Sequence, residues 1–153
     1  MKAASAAAAA DDFAAARAHS SPPDPGLFIK HARALHAARR DDEAIRTLDD
    51  GLAKLGPLIT PTQEAIDLED TAGRIESALV RVEKMIESAP RKERWLVRRA
   101  TLLEKLARPR KARESLIAAR SAIEALPAER RASAAMAELS AQIDGALTRL
   151  GAR

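Results

Sequence analysis

Alanine recurs at residues 10, 44, 78, 112 and 146, a spacing of 34 held along the chain. A period between about 20 and 50 residues marks a stacked-repeat architecture, and 34 is the length of a helix–turn–helix unit. Alanine is too common here to carry the register alone, but other landmarks keep it. Each of the middle three alanines is followed four residues later by a bulky apolar residue: Leu48, Val82 and Leu116. Twelve residues after the alanine comes a break, at Pro22, at Gly56-Pro57 and at Pro90.

Composition agrees with helices. The chain has 153 residues, enough for one domain with a real core. Ala, Leu, Glu, Lys and Arg dominate, all residues that lose little side-chain entropy in a helix. No alternating Val/Ile/Thr segment argues for strands, so the fold class is all-α. There is no cysteine, which excludes disulfides and thiol nucleophiles. No apolar stretch approaches the roughly 18 residues that would span a bilayer. The alanine-rich start, Met1 to Ala10, is closed early by Asp11-Asp12 and reads as a plain helix rather than a signal peptide. The expected location is cytoplasmic, or periplasmic or exported if the true N-terminus lies upstream. Abundant Ala and Arg suggest a bacterial, GC-rich coding sequence.

In the 34-residue frame, residues 3–19 form a first helix, stopped by the Pro-rich segment Ser20 to Gly26. Helices follow at about 27–39, 41–55, 61–72, 74–88, 92–107, 109–125 and 128–143. Asp41-Asp42 supplies carboxylates at a helix start. Thr60-Pro61 reads as an N-cap with Pro in the first turn, Glu64 completing the cap with Thr60 or Thr62. Gly73 and Arg108-Pro109 mark turns within pairs. Apolar residues at helical spacing (Leu79, Val82, Ile86; Leu96, Leu103, Leu106; Leu116, Ile117, Ile123) form stripes that one pair cannot bury alone. The division is residues 1–22 as a leading or capping helix and 23–153 as the repeat domain. Its pairs are about 27–56, 60–89 and 92–126, then a partial, capping unit at 128–151. The leading helix matches the second half of a repeat, so the chain reads either as capped there or as part of a longer array.

These residues resemble the tetratricopeptide repeat family. A small residue on the first helix appears as Ala32, Ala100 and Ala134, one on the second as Ala44, Ala78 and Ala112, followed by Leu48, Val82 or Leu116. Ile66 replaces the small residue in the second repeat, and the family's early Trp appears once, as Trp95, one residue out of register. The resemblance implies a right-handed superhelix of stacked antiparallel helix pairs, an α-solenoid of about three full repeats plus a leading and a terminal helix. It also implies a concave groove lined by the first helix of each pair. The 34-residue step then gives candidate groove residues Ile29, Arg33 and His36; Gln63, Asp67 and Asp70; Val97, Thr101 and Glu104, with Arg94 and Arg98 one turn apart. In members that clamp a partner's C-terminal carboxylate, cations sit where Arg94 and Arg98 fall. Ile29, Arg33 and Glu64 do not match the first two repeats of that clamp.

Catalytic motifs are lacking: no phosphate-cradling Gly-rich loop, no H-E-x-x-H, no G-x-S-x-G and no Ca²⁺ loop. His31 and His36 are five apart and do not share a helix face, so no metal or cofactor is expected and the chain reads as non-enzymatic. Charge is uneven. Residues 1–90 carry 11 Lys/Arg against 15 Asp/Glu, a net −4, and residues 91–153 carry 15 against 7, a net +8. A basic half of this kind attracts acidic partners. The leading expectation is a scaffold that binds a protein or peptide segment. The alternative is nucleic acid or another polyanion held by residues 91–113, although only Trp95 offers a stacking ring there. Self-association through end repeats is a third reading.

Overall fold

Helix boundaries repeat with the period read from the sequence. A computed structural model describes residues 2–151 and forms, among these, nine helices and no strand. They are α1 (Lys2–His19), α2 (Pro25–Ala37), α3 (Asp41–Leu55), α4 (Ile59–Thr71), α5 (Ile75–Ser88), α6 (Glu93–Lys105), α7 (Pro109–Glu124), α8 (Ala128–Arg131) and α9 (Ala134–Gly151). The helices α2, α4 and α6 start and end 34 residues apart, and α3, α5 and α7 start 34 apart.

The turns within pairs share one geometry. At the ends of α2, α4 and α6 the chain enters the left-handed region at Arg39 (φ 62°), Gly73 (φ 77°) and Ala107 (φ 55°). The next residue's N–H reaches back five residues: Arg40 to Leu35 O, Arg74 to Glu69 O, Arg108 to Leu103 O, at 2.9, 2.7 and 2.9 Å. Two nested bonds of this kind satisfy the orphan carbonyls at a helix C-terminus. Glycine fills one of these positions without penalty, while Arg39 and Ala107 hold it against a Cβ clash.

The chain divides into two compact units, residues Met1–Arg74 and Ile75–Arg153. The expected boundary at residue 22 therefore falls inside the first unit. There α1 packs on α2, α2 on α3, and α3 on α4. Their shared core holds Ala10, Ala32, Leu35, Ala44, Ile45, Leu48, Ala65 and Leu68. Gly51 lets α3 approach α2 closely, since a Cβ there would stand 2.8 Å from the Phe28 ring. Asp24 accepts from the Gly26 N–H at 2.8 Å and caps α2, with Pro25 in the first turn. In the second unit α5 packs on α6, α6 on α7, and α7 on α9. The buried Ser115 hydroxyl of α7 donates to the Leu96 carbonyl of α6 at 2.9 Å.

All five register alanines are buried, four of them completely, and Ile66 fills the small-residue slot of the second repeat at 1 % exposure. Three expectations are corrected. The helix placed at 61 begins at Ile59, with Leu58 rather than Thr60 at its N-cap. Thr62 instead donates to the Leu58 carbonyl at 2.7 Å, and Pro61 spends its missing N–H in the first turn, where no intrahelical partner exists. The terminal helix expected at 128–143 is divided: α8 ends after one turn and α9 runs from Ala134. Ala134 is accordingly exposed, not a packed small residue. Residue 141 is where a fourth turn would fall, but α9 continues through Ser140-Ala141-Gln142. Residues 152 and 153 of the expected tail lie outside the described residues.

Candidate partner-binding faces

In the first unit the candidate residues stand on α2 and α4. Ile29 is half-buried and packs against the core cluster. Arg33 is exposed and joins α2 to α4 through a two-pronged contact with Glu64, Nε to Oε1 at 2.7 Å and Nη2 to Oε2 at 2.8 Å. The hydrogen bond and charge of Glu64 push the Arg33 guanidinium further up. Glu64 thus serves this bridge, not a helix cap. His36 Nδ1 lies 2.6 Å from Asp41 Oδ1, tying the end of α2 to the start of α3. Gln63 and Asp67 are exposed and Asp70 is half-buried.

In the second unit they stand on α6. Arg94 is exposed, and among the described residues it makes no ion pair. The two acids of α6 each hold another arginine. Glu93 accepts from Arg91 Nε at 2.7 Å, and Glu104 accepts from Arg149 Nη2 at 3.0 Å. Arg98 is half-buried, and the half-buried Thr101 donates to the Val97 carbonyl at 3.2 Å. Val97 itself is 6 % exposed and belongs to the core. Burial pushes the Glu93 carboxyl up, but the backbone N–H groups of Glu93 and Lys92 and the Arg91 guanidinium outweigh it. The net result holds Glu93 below the usual carboxylate range.

His31 is buried, at 8 % exposure. It lines a crevice of about 450 Å³ with Asp11, Arg17, Arg40, Glu43 and Asp50. Burial, then Arg17 and Arg40, pushes its imidazole below the ordinary value. The Arg17 guanidinium lies 4.6 Å from the Phe28 ring centroid and 3.5 Å from Asp50. No local signal reveals this cluster, because Arg17 and Phe28 meet only when α1 packs on α2. Among the described residues no group of three or more His, Cys, Asp or Glu could hold a metal ion, and no helix is long and apolar enough to cross a membrane.

Paired helices in a 34-residue register, with polar side chains displayed on the first helix of each pair, define an all-helical repeat protein. No family model matches the chain, and no curated protein matches it. Among solved structures it is similar to PcrH from Pseudomonas aeruginosa, with a TM-score of 0.65 and 15 % identity, covering 83 % of this chain and 91 % of that one. That likeness shows the fold.

Proposed function

We propose that the chain is a non-catalytic scaffold that binds a segment of another protein on the exposed faces of its first helices. We place its preference for acidic segments at Arg94 and Arg98 of α6. The observation that carries this reading is Arg94, an exposed cation that makes no ion pair among the described residues. A guanidinium left open in this way offers a planar, two-pronged partner to a carboxylate. On α2 and α4 the exposed Gln63 and Asp67, beside the Arg33–Glu64 bridge, make a mixed face suited to polar backbone and side-chain contacts. The cytoplasmic location belongs to the same proposal.

Polyanion binding by residues 91–113 is the second reading. Arg91 and Arg108 pair with Glu93 and Glu76, while Lys92, Arg94, Arg110, Lys111 and Arg113 are exposed. Affinity capture from source-cell lysate, with and without nuclease, separates the two. The scaffold reading expects a nuclease-resistant protein that Arg94→Glu/Arg98→Glu releases while the variant stays folded. Nucleic acid in the eluate, with a steep salt dependence, would replace it with the second reading.

A further inference from the structure

The second helices of the repeats change chemistry at α7. Three positions on one helical face read Ile45, Asp49, Leu52 in α3, then Leu79, Glu83, Ile86 in α5, and Arg113, Ile117, Arg120 in α7. Apolar–acid–apolar becomes cation–apolar–cation. Ile45 and Leu79 are buried, whereas Arg113 and Arg120 are exposed and Ile117 is 42 % exposed. The core is not lost by this inversion, because Leu116, Ala119 and Ile123 still bury the inner face of α7. Sequence periodicity placed Ile117 in the buried stripe, and the structure turns it outward.

Beside this face runs α9. It is held to α7 while its own side chains Met136, Leu139, Ile143, Ala146 and Leu150 are buried. The first helices α2 and α6 each carry a second helix packed on them, α3 and α7. Among the described residues α9 carries none. Between α7 and α9 lies an open groove of about 820 Å³, lined by Arg113, Ile117, Arg120, Asp144, Leu147 and Thr148. Arg120 donates to Asp144 at 2.5 Å, and Arg113 makes no ion pair among the described residues. At helical spacing, Ala137 and Ala141 extend the line of Asp144 and Thr148 toward the start of α9, and both are exposed. Small side chains there let another helix axis come close.

We infer that the α7–α9 face docks an amphipathic helix of a protein partner, with apolar residues seated on Ile117 and Leu147 and a carboxylate paired with Arg113. Two adjacent helices already present the cradle that a third helix completes. The unpaired Arg113 sets the sign of the partner's charge. Asp144 and the central Ile117 make the same groove unsuitable for a phosphate backbone, which would meet a carboxylate and an apolar side chain in its middle. The inference rests on the protein-binding reading above but uses a different face, so the two fail separately.

The test selects a displayed library of random 20-residue peptides on the full chain and measures the enriched peptides against variants. Expected are helical patterns with Leu or Ile at i and i+4 and an Asp or Glu within one turn. Binding falls about tenfold or more in Ile117→Asp and in Arg113→Glu, stays within about twofold in Arg94→Glu/Arg98→Glu, and is restored to Arg113→Glu when the peptide's acid becomes Lys. Circular dichroism confirms folding, and Ile117→Ala serves if Ile117→Asp does not fold. Peptides indifferent to Ile117 and Arg113, or no enriched peptide, would overturn the inference. Loss confined to Arg94→Glu/Arg98→Glu would overturn it while leaving the α6 reading intact. Self-association abolished by Ile117→Asp in sedimentation would overturn it in favour of a second copy of this chain.

Discussion

Ala112 sits in the register that defines the repeat, and enlarging it tests that register directly. Its side chain is fully buried on α7, in the unit where that helix packs on both α6 and α9. Ala112→Leu adds three carbons where no free volume is exposed. Overpacking a close-packed interior costs about 1–3 kcal/mol, because side chains must leave their rotamers or the helices must part. For a chain of this length, 1 kcal/mol moves the midpoint by about 2–4 °C if unfolding is cooperative, so the expected fall is about 2–12 °C. Should the second unit unfold alone, the shift per kcal/mol grows, since fewer residues share the transition. The control is Ala118→Leu, on the same helix but exposed, where a change within about 0.5 kcal/mol is expected. Urea unfolding followed by circular dichroism at 222 nm gives both values. If Ala112→Leu costs no more than Ala118→Leu, the register alanines are not a packed seam.

The turns give a prediction of opposite signs: Gly73→Ala loses about 1 kcal/mol at its φ of 77°, while Ala107→Gly gains up to about 1 kcal/mol at its φ of 55°; thermal melts of both variants check it. Gly51→Ala is destabilising although Ala is the better helix former, because its Cβ would meet Phe28 at 2.8 Å; denaturant midpoints read the loss. Acid lowers stability through two depressed groups. His31 stays neutral in the fold below 6.5, where the unfolded imidazole takes up a proton, so stability fades as pH falls past that value and His31→Gln flattens the slope. Glu93 contributes stability present above 4.5 and lost as pH falls through its lower folded value, and unfolding curves of Glu93→Gln at pH 3 to 5 should be flatter than those of the wild type.

The period was legible because it is written in residues whose roles are local. Alanine at a seam, a bulky residue one turn later and a proline or glycine at a break each act within their own helix pair. That is why helix starts predicted from punctuation fall within a few residues of those observed. Pairings at long sequence distance left no such trace. Arg33 reaches Glu64, Arg74 reaches Asp42 and Arg108 reaches Glu76, and the last two obey the 34-residue step only once the fold is known. The end of the chain misled because its alanines satisfy the register although α9 runs unbroken through the place of a fourth turn. Ile117 misled for a related reason: apolar spacing does not reveal which face of a helix a neighbour leaves uncovered. Of the candidate face, the sequence located Arg33, Gln63, Asp67 and Arg94 on exposed surface, but it counted the buried Val97 among them.

The most direct test of the scaffold reading is isothermal titration of a captured protein partner against the wild type, Arg94→Glu/Arg98→Glu and Arg108→Glu at two salt concentrations. Arg108 already pairs with Glu76 and serves as the control for a charge reversed away from α6, at half the change in net charge. A loss of about tenfold or more in the double variant, against about twofold or less in Arg108→Glu, is predicted, with the difference shrinking as salt rises. Equal losses in both variants would mean that overall positive charge, not the open α6 face, attracts the partner.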